Sequence, residues 1–121
     1  MAPKLNSTIK TTGEISAWVD ARVAAGSDYI KIMSETFAEH GRNIPTLTDE
    51  QITAVITEAH KHGLLAITHT LQQVRAKQAI AAWADGLVHI SPYDAPDPDY
   101  GKFLAEPATR YQKMNFNANC I

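Results

Sequence analysis

GSDYIKIMSE, residues 26–35, decides the fold. Its centre, Asp28-Tyr-Ile-Lys-Ile-Met33, is a short run of β-branched and aromatic residues, the composition of a pleated, half-buried strand. The glycine before it stops a helix. From about Thr12 to Ala25, the apolar residues Ile15, Trp18, Val19 and Val23, with Arg22, recur at steps of three and four, one face of an amphipathic helix. Downstream, a polar loop passes Gly41 and Pro45 and reaches Thr48-Asp-Glu-Gln51. Threonine followed three residues later by glutamine is a capping box that opens a second helix. Ile52, Val55, Ile56 and Ala59 supply its apolar face, Gly63 closes it, and Leu64-Leu-Ala-Ile-Thr-His69 follows as a second strand. A third helix over about Leu71 to Trp83, carrying Val74, Ala79, Ile80 and Trp83, leads to a third strand, Asp85-Gly-Leu-Val-His-Ile90. Helices alternating with short apolar runs predict an α/β fold: three parallel strands with helices on one face.

Beyond Ser91 the character changes. SPYDAPDPDYG, with its prolines and aspartates, continues neither a helix nor a central strand. Residues 1–91 therefore read as one α/β domain and 92–121 as a proline-rich linker and tail. The tail carries Tyr93, Tyr100, Phe103 and Tyr111, which are expected to pack on the sheet or on a partner.

Composition excludes several classes. The chain has 121 residues, of which 45% are hydrophobic and 20% charged, values of a globular domain. A net charge of −2 provides no basic field for nucleic acid. No stretch approaches the roughly 20 apolar residues of a membrane span. The N-terminus MAPKLNSTIK lacks the apolar core of a secretion signal, so a cytoplasmic location is expected. A single cysteine, Cys120, excludes an internal disulfide and a cysteine-based zinc finger.

Lys31 remains to be explained, since an ammonium sits in the middle of an otherwise strand-like run. Side chains alternate across a strand. Tyr29, Lys31 and Met33 share one face of the first strand, Leu65, Ile67 and His69 one face of the second, and Leu87 and His89 one face of the third. With helices on the other side, Lys31, His69 and His89 are expected to converge near the carboxyl ends of adjacent strands, where α/β folds place reactive groups. Taken singly, a strand-end histidine is usually structural, and a strand lysine usually carries its ammonium out to water along an apolar stem. Three together point to chemistry: a lysine put to nucleophilic work or converted into something else, beside two imidazoles suited to a metal.

Three stretches, AGSDYIKIM, LTDEQITAVITEAHKHGLLAITHT and AIAAWADGLVHI, resemble consecutive pieces of the metal-dependent amidohydrolase superfamily, specifically its imidazolonepropionase-like and prolidase-like hydrolases. The resemblance covers about Glu14 to Ile90. It implies a (β/α) barrel of which these strands are the fourth, fifth and sixth, so that the fold is a partial barrel. It further implies that Lys31 is carboxylated by carbon dioxide to a carbamate bridging two divalent metals, zinc or manganese, with His69 and His89 as further ligands. Water activated between the metals would attack the amide, lactam or ester carbonyl of a small-molecule substrate. His40 and Tyr93, each placed after a strand end, are the candidate substrate contacts.

The chain also departs from that pattern. A full barrel takes about 250 residues. The family's first-strand His-x-His pair has no strand here. His60-Lys61-His62 does not replace it, because a two-residue step in the last turn of a helix points the imidazoles apart. The eighth-strand aspartate is missing as well, and Asp94, Asp97 and Asp99 read as solvated turn residues. Trp83 stands where the family carries a small residue. Three strands leave an open face and two unpaired edges, so a homo-oligomer or a partner chain completing the barrel is expected. The alternative is a catalytically altered remnant: either a metal-free lyase or isomerase using Lys31, His69 and His89, or a non-catalytic binding protein.

Overall fold

The computed structural model describes residues 8–89, 95, 97–103 and 105. After a 3-10 turn at Thr12–Glu14, the elements are α1 (Ile15–Ala24), β1 (Tyr29–Met33), a second 3-10 turn at Ala38–His40, α2 (Asp49–Lys61), β2 (Leu65–His69), α3 (Gln73–Ala81) and β3 (Gly86–Val88). The strands form one parallel sheet in the order β1-β2-β3. This is the α/β alternation expected from periodicity. No helix among the described residues is long and apolar enough to cross a membrane.

Local chemistry accounts for the helix ends. Gln51 N–H donates to Thr48 Oγ1 at 3.2 Å, and Thr48 N–H to Gln51 Oε1 at 2.9 Å, so the capping box satisfies two orphan donors of α2. At the other end, all three helices stop in the same way: a left-handed residue reverses the chain, and the next amide bonds back to a carbonyl five residues earlier. Gly26 (φ 84°) and Gly63 (φ 70°) occupy that position after α1 and α2. After α3 it falls to Trp83 (φ 74°). A tryptophan there costs about 1 kcal/mol of backbone strain, offset by packing of its ring against the core. The hook explains why the third helix ends at Ala81 rather than Trp83.

Ile30, Ile32 and Ala66 point into the helical layer. With Ile15, Val19, Ile52, Val55, Ile56, Ala59, Ala79 and Ala84 they make one buried cluster. The opposite face carries Tyr29, Lys31, Met33, Leu65, Ile67 and His69, with Tyr29 51% and Met33 46% exposed. Leu87 corrects the expectation for the third strand. It is the register partner of buried Thr68 and packs on the helical side of the sheet, away from the open face.

The tail is tied to the helical layer at Asp97. Its N–H donates to Gln73 Oε1 at 2.9 Å, and its carboxylate pairs with the Lys77 ammonium. Asp97 is therefore an anchor on α3 rather than a purely solvated turn residue, whereas Asp99 is largely exposed. A helical turn follows, with Phe103 N–H donating to Asp99 O at 2.9 Å. Asp94, Tyr111 and Cys120 lie outside the described residues.

Candidate active site

The carboxyl ends of the three strands form a rim, and the histidines meet there. His69 is the last residue of β2, opposite Met33 on one side and Val88 on the other. His89 follows β3. Strict alternation would have sent it to the helical side with Leu87, but it adopts φ 75°, which ends the strand and breaks the alternation. Its ring then lies edge-on against that of His69, centroids 4.5 Å apart and planes at 78°. The two imidazoles are thus adjacent for a reason that parity did not contain.

Lys31 lies lower. It is the register partner of Ile67, one pleat before the rim, and its side chain is exposed on the open face. Its charge still reaches His69. His69 is held below the ordinary imidazole pKa, first by burial, then by the charges of His89 and Lys31, against an upward pull from Glu35. The Nε2 of His69 is buried and has no hydrogen-bond partner. A neutral imidazole with an uncommitted ring nitrogen is what a metal ligand or a proton acceptor requires.

The depressed pKa has a consequence for stability. The unfolded chain, with an imidazole pKa near 6.5, takes up a proton at His69 before the folded chain does. Stability contributed by the neutral ring is therefore complete above about pH 6.5 and declines as pH falls through the lower folded value. In chelator-treated protein, urea midpoints between pH 8 and pH 5 are expected to fall less steeply for His69→Gln than for the native chain. Parallel curves would contradict this reading.

His40 ends the turn after β1 and is exposed. Its ring lies 6.3 Å from that of Phe37, which in turn lies 6.4 Å from His69, so Phe37 neighbours both rings. Tyr93 lies outside the described residues. His60 and His62 turn to different partners: His60 Nε2 bonds Asp85 Oδ2, and His62 Nε2 bonds Asp20 Oδ1, each at 2.8 Å. Among the described residues no three His, Cys, Asp or Glu side chains cluster closely enough to hold a metal by themselves.

A cleft of about 570 Å³ opens along the free edge of β1, lined by Ile9, Trp18, Lys31, Met33, Pro45 and Leu47 among others. His69 and His89 are not part of its wall. Among the described residues, Lys31 alone of the expected site residues borders it. Sequence reasoning passed over Glu35, a buried carboxylate at the rim. The only hint was its position two residues after a strand, because burial of a charge leaves no periodic trace.

No family model matches the chain, and no curated protein matches it. Among solved structures it is similar to the crystal structure of a Xaa-Pro dipeptidase with bound methionine in the active site, with a TM-score of 0.65 and 24% identity. The match covers 83% of this chain and 25% of that one, so the chain spans about a quarter of the length of its structural neighbour. What the two share is a fold: a parallel α/β segment found within a peptidase.

Proposed function

We propose that the chain forms part of a metal-dependent hydrolase acting on amide, lactam or ester bonds of small molecules, with a second copy or a partner chain completing the barrel. The observation that carries this reading is the imidazole pair, His69 against His89, at the carboxyl rim of a parallel sheet. The donors present fit part of a metal's coordination shell. His69 offers a buried, uncommitted nitrogen on a ring that favours the neutral form. His89 is held beside it. Lys31 becomes a donor only as a carbamate: its neutral amine forms a bond to the carbon of carbon dioxide, one C–O π bond opens, and the proton leaves to water.

Zinc or manganese, when bound, would polarise the scissile carbonyl and acidify water. The chain's own part is to hold the two imidazoles together, to present the Lys31 amine, and to offer apolar wall along the cleft. His40 and Tyr93 are proposed as substrate contacts from their places after β1 and β3. The open face, with Tyr29 and Met33 exposed, and the edge positions of β1 and β3 in the described sheet support association.

Elemental analysis after incubation with zinc and bicarbonate, together with carbon-13 NMR of protein loaded with labelled bicarbonate, tests the proposal. Bound metal and a carbamate resonance, both lost in Lys31→Met, are expected. Protein that stays metal-free under those conditions overturns it. The exposure of Lys31 beside an open cleft favours a second, metal-free reading, in which the amine forms a Schiff base with a carbonyl substrate and a histidine moves the proton. Borohydride trapping of a carbonyl compound on Lys31 would identify that case. Inertness in both assays leaves a binding protein.

A further inference from the structure

Glu35 directly follows the last paired residue of β1 and its neighbour Ser34, yet it is only 3% exposed. A buried carboxylate is tolerated when its oxygens are satisfied, and three backbone amides do this. Thr36 N–H and Phe37 N–H donate to Oε1 at 2.9 and 3.0 Å, and Leu71 N–H donates to Oε2 at 2.9 Å. One side chain thereby joins the loop after β1 to the loop after β2. At the surface the same loops are linked again, with Gln72 Nε2 donating to Glu39 Oε1 at 2.5 Å and Arg75 Nε to Gln72 Oε1 at 2.9 Å.

His69 lies between these fastenings. Its carbonyl accepts from Ser34 N–H at 2.9 Å, and two residues later Leu71 is gripped by Glu35. Its ring faces Phe37, which adopts φ 58°, a left-handed conformation that a phenylalanine keeps only when the surroundings impose it. The bond from Phe37 N–H to Glu35 is such an imposition. Glu35 thus controls the main chain after His69 and the aromatic wall beside its ring.

We infer that Glu35 is a positioning residue for the imidazole pair, fixing the ring of His69 against that of His89 through the two loops it binds. The inference deepens the proposed function in taking that pair as the working groups of the rim. Glu35→Gln tests it, with Glu39→Gln as the comparison. Glutamine keeps the volume, but its amide nitrogen must face one of the N–H donors. In NMR of metal-free protein, Glu35→Gln is expected to lose the nuclear Overhauser contact between the two imidazoles while the methyl signals of Ile30, Ile52 and Ile56 stay in place. Glu39→Gln is expected to retain both. Zinc affinity should fall about tenfold to a hundredfold in Glu35→Gln alone, as when a ligand's supporting partner is removed.

An unchanged imidazole contact in Glu35→Gln overturns the inference. Collapse of the core methyl pattern together with the contact overturns it as well, by assigning Glu35 to the fold alone. Because the ring contact is read without metal, a native chain that binds no zinc defeats the hydrolase reading and leaves the role of Glu35 to be decided by the rings.

Discussion

Replacing Asp85 with alanine is expected to destabilise the domain by about 3 kcal/mol, by the usual cost of removing a largely buried, hydrogen-bonded carboxylate. The side chain is 10% exposed, and its Oδ2 accepts from Ala66 N–H at 2.6 Å and from His60 Nε2 at 2.8 Å. Its own N–H donates to Ala66 O at 2.9 Å. Asp85 therefore fastens the entry of β3 to β2 and to the last turn of α2 with one carboxylate. Alanine leaves the Ala66 amide inside the structure with nothing to donate to. Asparagine keeps one carbonyl oxygen and should cost about 1 kcal/mol, the worth of an ordinary hydrogen bond. Urea unfolding of the two variants checks the pair of values, and equal midpoints would show that Asp85 is not the fastening described.

Ile30→Ala is expected to cost about 3–4 kcal/mol, the sum of lost transfer energy and a residual cavity. Ile30 is 1% exposed, points into the helical layer, and pairs in register with Ala66, which is too small to fill the space. Against a total stability of about 5–15 kcal/mol for a domain of this size, that is a large fraction. Met33, three residues on but on the other face, is 46% exposed. Met33→Ala should change stability by no more than about 0.5 kcal/mol. A strong loss at Met33, or a mild one at Ile30, would reverse the assignment of the two faces. Denaturant midpoints at unchanged slope supply the measurement.

The order of strands and helices was legible because burial on one side writes a period into the chain. Short apolar runs at Tyr29–Met33 and Leu65–His69 marked the strands, and steps of three and four through Ile52, Val55, Ile56 and Ala59 marked α2. The capping box at Thr48 was equally readable, since it is a local contact between near neighbours. Parity failed at the third strand. It grouped Leu87 with His89, whereas Leu87 turns to the helices and His89 reaches His69 only through a left-handed backbone. Nothing in the residue type announced that conformation.

What stayed hidden was of another kind. Glu35 and Asp85 each bind amides far away in sequence, Leu71 and Ala66, and a carboxylate that will be buried looks like one that will not. Trp83 was visible as an oddity, but its cause was not. The helix-ending hook demands a left-handed residue there, and Gly26 and Gly63 had already shown what that position prefers. His60 and His62 were read as pointing apart from their place at a helix end, and each has its own aspartate on a different element.

The brevity of β3 carries a kinetic implication. Gly86–Val88 supplies three rungs where β1 and β2 share five, and the strand lies at an edge of the sheet. Edge segments with few rungs open first and most often. His89 hangs immediately beyond them. The lifetime of the two-imidazole arrangement is accordingly set by the breathing of the weakest strand, so anything that clamps that edge, whether another chain or a bound ion, would lengthen the time for which the rim stays assembled.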